Sequence, residues 1–190
     1  AFDRQGVTLD DLNDLTPALK AEAVKLAADY KMGPIYSAQI VAGQDGKRGL
    51  LMLPSATGGA NWQGGAADPE TGIIYVSSGT QINPMVLVHD PARSEQNYVN
   101  GNAEPPVARG PGAPPPGPRV FGPQGLPMVK PPWGRITAID LNAGDIKWQV
   151  ANGDAPDWVK NHSALAGVTV PRTGRYEHVG LLVTKSLLFA

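Results

Sequence analysis

Two segments of this 190-residue chain place an Asp four residues before a Gly and follow the Gly with a strand-forming run. The first is Ala67-Asp68-Pro69-Glu70-Thr71-Gly72-Ile73-Ile74-Tyr75-Val76. Asp68 can bond backbone N–H groups ahead of it, Pro69 sets the first turn dihedral, and Gly72 takes the left-handed position. The β-branched and aromatic run after it suits a pleated strand. The second is Gly134 to Val150, where Ile136, Ala138 and Asp140 alternate with Thr137 and Ile139 before the turn closing at Gly144. Beyond that turn Ile146, Trp148 and Val150 alternate again. A repeated strand–turn–strand unit points to antiparallel blades, although any β-hairpin protein can carry two such copies.

Composition agrees with many turns and little long helix. The chain has 23 Gly and 19 Pro, and charged residues are only 17%, against roughly 25% in an average soluble domain. A net charge of −1 without a basic block argues against a nucleic-acid footprint. No apolar run is long enough for a membrane helix. Cysteine is absent, which removes disulfides, thiolate metal sites and cysteine nucleophiles.

One region reads as helix, residues 8–32. Thr8 caps a short first turn, and Thr16 caps again with Pro17 at the first helical position. Leu19, Ala23, Leu26, Ala27 and Tyr30 then form one apolar stripe. Gly33-Pro34 ends it. Residues 35–53 are ambiguous, with a turn signal at Gln44–Lys47 and a short strand at Gly49–Leu53 stopped by Pro54. Residues 101–134 hold 11 Pro and 7 Gly. Lacking backbone donors, this stretch is expected to be a long surface loop with polyproline-like pieces at Pro114-Pro115-Pro116.

With these residues placed, a resemblance becomes visible. Gly58-Gly59-Ala60-Asn61-Trp62 leading into Asp68–Gly72 is similar to a recurrent segment of pyrroloquinoline quinone (PQQ)-dependent dehydrogenases. Ala138, Asp140, Gly144 and Trp148 resemble the tryptophan-docking motif that ties neighbouring blades together in that family. Asn161-His162 to Gly167, then Leu182 to Phe189, resemble a link between blades in its glucose-dehydrogenase-like branch, as does Phe2-Asp3-Arg4-Gln5-Gly6-Val7-Thr8. Family members are eight-bladed propellers of four-stranded sheets. The resemblance implies an all-β partial β-propeller of roughly two to three blades, with one N-terminal helix and a long Pro/Gly-rich loop. The expected organisation is an N-terminal helical segment at 1–34, a blade with the Asn-Trp segment at 35–100, and an insertion loop at 101–133. A second blade with the docking motif, and the start of the next, follow at 134–190.

The family oxidises a sugar or alcohol hydroxyl by hydride transfer to PQQ, with Ca²⁺ polarising the accepting carbonyl and a carboxylate as base. The resemblance makes Asn61 and Trp62 the candidate cofactor-binding residues, Asn61 toward the quinone oxygens. The residue-level alternative is that Asn61 caps a loop and Trp62 packs between blades. Trp148, Gly144, Asp140 and Ala138 are expected to be structural. No segment matches the surroundings of the family's base or calcium carboxylates, so the catalytic base is unassigned and no metal ligand is expected here. His89, His162 and His178 read as loop or surface residues. No HExxH, GxSxG or phosphate loop occurs.

The implied partners are a small sugar or alcohol, an electron acceptor (a quinone or a cytochrome) and the remaining blades of the same chain. The implied location is the periplasm or cell envelope, although no signal segment is present. The competing readings are a non-catalytic quinoprotein-like propeller scaffold and a binding module displaying the Pro-rich loop. The absence of an initiator Met and the apolar strand-like run at Gly180–Ala190 suggest a section of a longer chain, inactive alone.

Overall fold

The computed structural model describes residues 1–101, 120–177 and 179–190. The expectations for Pro114–Pro116 and His178 lie outside the described residues. In chain order the strands are β1 (Leu50–Met52), β2 (Gly65–Asp68), β3 (Ile73–Gly79), β4 (Asn83–Val88), β5 (Val99–Gly101), β6 (Gly134–Asp140), β7 (Asp145–Ala151), β8 (Leu182–Val183) and β9 (Leu188–Phe189). Helix α1 (Pro17–Ala27) is the one long helix among the described residues, and α2 (Asp157–Lys160) is a single turn.

The centre of the fold is a four-stranded sheet in the order β2-β3-β6-β7, every pair antiparallel. This meander is a propeller blade, and the chain is a partial β-propeller. Both tight turns form as their sequences require. Gly72 N–H donates to Asp68 O at 2.9 Å and Gly144 N–H to Asp140 O at 2.8 Å. The two glycines sit at φ +70° and +75°, where a Cβ is penalised. Asp68 Oδ1 accepts from Glu70 N–H, and Asp140 Oδ1 accepts from Asn142 and Ala143 N–H.

One expectation about organisation is corrected. The two strand–turn–strand units were assigned to separate blades, 35–100 and 134–190. Instead β3 pairs with β6 along its whole length, Ile73 with Asp140 through Gly79 with Gly134, so the units are halves of one blade. The physical reason is the length of the match: seven residue pairs in register satisfy both strands' backbone groups. Residues 80–133 therefore leave and re-enter the blade between its second and third strands. Within that excursion β4 and β5 join β1 in a smaller sheet, order β1-β4-β5. Strands β8 and β9 form a separate hairpin.

The expected alternation on β7 also changes. A register shift between Ala138 and Ile139 pairs Trp148 with Ala138 but Ile146 with Ile139. Paired residues share a face, so Ile146 and Trp148 lie on opposite faces of the sheet.

The main core lies beside the blade, under α1. Thr16 Oγ1 accepts from Leu19 N–H at 3.1 Å, the cap expected from sequence. The helix ends at Ala27 and buries Leu19, Ala23 and Ala27, with Tyr30 beyond it. Against them pack Leu12, Leu126, Met128, Val129 and Trp133.

The last four of those residues correct the reading of 101–134 as a surface loop. Its described second half, 120–133, is substantially buried. Proline-rich backbone becomes buriable here because other segments satisfy its groups. Asn13 N–H donates to Met128 O and Asn13 Nδ2 to Pro127 O, both at 2.8 Å. Lys130 N–H donates to Asp11 O, and Trp133 Nε1 to Val129 O.

Candidate functional site

A blade has two ends, and here they differ in kind. One end carries the tight turns at Asp68–Gly72 and Asp140–Gly144. Its Asp side chains are turn ligands: hydrogen bonds from Thr71 hold Asp68, and from Ala143 and Asn142 hold Asp140, below the usual carboxylate range. Both side chains are committed to their turns. The opposite end gathers the loop 54–64, the start of the 80–133 excursion, residues 152–153 and the segment 173–177.

Asn61 and Trp62 sit at this second end, just before β2, an outer strand of the sheet. Asn61 Nδ2 donates to Thr57 O at 2.9 Å, and its Oδ1 accepts from Trp62 N–H at 2.9 Å. Its main-chain carbonyl accepts from Gly64 N–H. Asn61 thus clasps its own loop and retains one amide N–H. The Trp62 ring is 96% exposed. An indole left uncovered by the described residues is a large flat apolar face open to a partner.

Beneath the loop lies a charge network that sequence reasoning missed. Asp3 Oδ1 accepts from Arg4 N–H at 2.7 Å and Thr80 Oγ1 at 3.0 Å, and lies 3.4 Å from Arg135 Nη2. Arg135 also donates to Thr80 Oγ1 and to Pro132 O. Asp3 and Arg135 side chains are only 8% and 4% exposed. Burial lowers the guanidinium pKa of Arg135, opposed by the Asp3 charge. Arg4 reaches Lys130 O at 2.6 Å and Pro131 O at 2.8 Å, and Gln149 Nε2 donates to Phe2 O at 2.8 Å. Residues 2–4 therefore staple the blade to the buried segment 120–133. The resemblance at Phe2–Thr8 was the one sequence signal near them.

Next to the loop is an open groove of about 750 Å³, lined in part by Gln81, Trp133, Trp158, Arg175, Tyr176 and Glu177. Tyr176 OH lies 3.1 Å from Ser55 Oγ and 3.0 Å from Thr57 Oγ1, linking the groove wall to the Asn61 loop. Asn61 and Trp62 are not among the residues lining it.

The two described histidines contact backbone groups. His162 Nδ1 accepts from Ala164 N–H, and His89 Nδ1 lies 2.7 Å from Asn97 O. The described residues gather no group of three His, Asp or Glu able to hold a metal ion. No helix among them is long and apolar enough to cross a membrane.

At the docking motif, Ala138 is fully buried between its neighbours in register, Tyr75 and Trp148. The two rings lie on the same face, with centroids 5.8 Å apart. Trp148 is 37% exposed, on the outer strand β7.

A propeller blade with a Gly-Gly-Ala-Asn-Trp loop at one end and a buried-Ala, stacked-Trp hairpin at the other defines a quinoprotein-type blade. The chain belongs to the PQQ glucose/ethanol/alcohol dehydrogenase family, whose β-propeller domain it matches over residues 1–190. Two curated relatives are similar to it: a probable quinate dehydrogenase (quinone) of Xanthomonas campestris pv. juglandis and a quinate/shikimate dehydrogenase (quinone) of Acinetobacter baylyi. Each is 30% identical over 115 residues, covering 56% of this chain but 14% of the relative. No solved structure matches the chain.

Proposed function

We propose that this chain is a section of a quinoprotein oxidoreductase that oxidises a sugar, alcohol or hydroxy-acid hydroxyl by hydride transfer to PQQ. The observation that carries the reading is the pair Asn61 and Trp62. A wholly exposed indole stands beside an amide with a spare N–H, at the blade end away from the tight turns. PQQ, when bound, supplies a two-electron acceptor in a flat ring system.

The residues present fit one wall of such a site. Trp62 offers a stacking face, Asn61 an N–H donor, and Gly58-Gly59 a backbone that a flat ligand can approach closely. Holding the ring between such faces excludes water from it. The described residues do not fit the calcium site: they bring no carboxylate cluster together. The Ca²⁺ ligands and the base are assigned to residues other than the described ones, and no step is derived through them.

The relatives' names make a quinate-like ring hydroxyl the first substrate to test, with glucose second and a quinone as acceptor. The proposed location is the periplasm or cell envelope. The experiment is a PQQ titration of the metal-supplemented full-length apoprotein, followed by dye reduction with quinate, shikimate and glucose. Wild-type protein is expected to bind, and Asn61→Ala and Trp62→Ala to weaken binding by about tenfold or more, as loss of a stacking face and a donor should. Full-length protein that binds PQQ but reduces no dye with any of these classes would leave the scaffold reading standing.

A further inference from the structure

We propose that Asp3 is a positioning residue: it holds Gly59, and through it the Asn61–Trp62 loop, in the conformation that receives the cofactor. This rests on the reading of Asn61 and Trp62 given above.

The geometry is specific to one carboxylate oxygen. Asp3 Oδ1 carries all the observed bonds, from Arg4, Thr80 and Arg135. Asp3 Oδ2 is buried and has no hydrogen-bond partner among the described residues. It lies against Gly59, where a side-chain Cβ would collide with it. Gly59 is held on its other side by the end of β3, where Gly79 N–H donates to Gly59 O at 2.8 Å. Gly59 is thus gripped between the rigid sheet and a buried carboxylate, two residues before Asn61.

Burying an Arg–Asp pair is a weak route to stability, because desolvation offsets most of the attraction. Arg135 Nε is likewise buried without a partner among the described residues. Leaving two polar atoms orphaned costs more still. A network tuned for stability alone would satisfy them or be apolar. What this arrangement does provide is a fixed position for Gly59. The anchors are themselves tied down: Thr80 N–H donates to Trp133 O at 2.7 Å, and Arg4 is fixed on Lys130 and Pro131 carbonyls. A binding group displaced by even about 1 Å loses much of its contribution.

The test measures PQQ affinity and apoprotein melting temperature on the full-length protein. Asp3→Asn keeps the shape and removes the charge. Gly59→Ala forces the carboxylate and the loop apart while leaving the ion pair's members intact. Thr80→Val is a milder third variant should Asp3→Asn fail to fold. The control is Leu19→Ala, in the core under α1, which should lower the melting temperature while leaving PQQ affinity within twofold of wild type, as a remote cavity does. Asp3→Asn and Gly59→Ala are expected to weaken PQQ binding by about tenfold or more at temperatures well below their melting points. Binding within twofold of wild type for the folded variants, or equal weakening in Leu19→Ala, overturns the positioning role and leaves the Asn61–Trp62 reading intact. Wild-type protein that does not bind PQQ overturns both.

Discussion

The rings of Tyr75 and Trp148 meet above Ala138, which is wholly buried between them in the register of β3, β6 and β7. Small size at position 138 is what lets two large aromatic side chains from strands on either side approach to 5.8 Å. Replacing Ala138 by Leu should overpack this face and destabilise the protein by about 1–3 kcal/mol. Chemical denaturation of the full-length protein checks it, and an unchanged midpoint would mean the rings separate without strain.

Trp148 itself is over a third exposed within this chain, yet is proposed to face a neighbouring blade. Trp148→Ala in the full-length protein should then cost about 3–5 kcal/mol, as for a buried indole. A loss near 1 kcal/mol, the scale of a single ring–ring contact, would instead mean that Tyr75 is its main partner. Thermal unfolding followed by Trp fluorescence distinguishes the two.

The turn aspartates set a pH dependence. Hydrogen bonds depress the carboxyl pKa of Asp68 and Asp140 in the folded protein. Their contribution is therefore complete above the unfolded Asp value of about 3.9 and fades as pH falls through the lower folded values. Asp140→Asn and Asp68→Asn should flatten the fall in urea midpoint below about pH 4. Parallel curves for wild type and variants would contradict that assignment.

Burial of the segment 120–133 predicts sensitivity where a surface loop would tolerate change. Leu126 and Met128 are 0% and 1% exposed. Leu126→Ala should cost about 2–5 kcal/mol, against roughly 0.5 kcal/mol for an exposed loop position. Asn13→Ala should cost about 1–3 kcal/mol by leaving Pro127 O without its buried donor. Melting temperatures of the two variants provide the measurement.

What could be read from sequence was local. The Asp-to-Gly turns and the Thr16 cap depend on residues within a few positions of one another, so their chemistry is written side by side. The union of two hairpins into one blade was not readable, because β3 and β6 match each other across the whole excursion 80–133. Nor was the burial of Leu126, Met128 and Trp133: composition marked the stretch as loop, while the groups that make it buriable are donors on Arg4 and Asn13 and the carbonyl of Asp11. At the candidate site, Asn61 and Trp62 were reached through a resemblance. Asp3 was missed as a site residue because Thr80 is 77 positions away and Arg135 further still.

The excursion between β3 and β6 also governs the order of events at the ribosome. The hairpin β2–β3 emerges with one edge of β3 unpaired, and its partner β6 is not made until residues 80–133 have followed. At about 5–20 residues per second that interval lasts seconds, long enough for an open edge to meet another chain. The nascent blade must therefore wait, and a chaperone that shields the Ile73–Val76 strand has its window there.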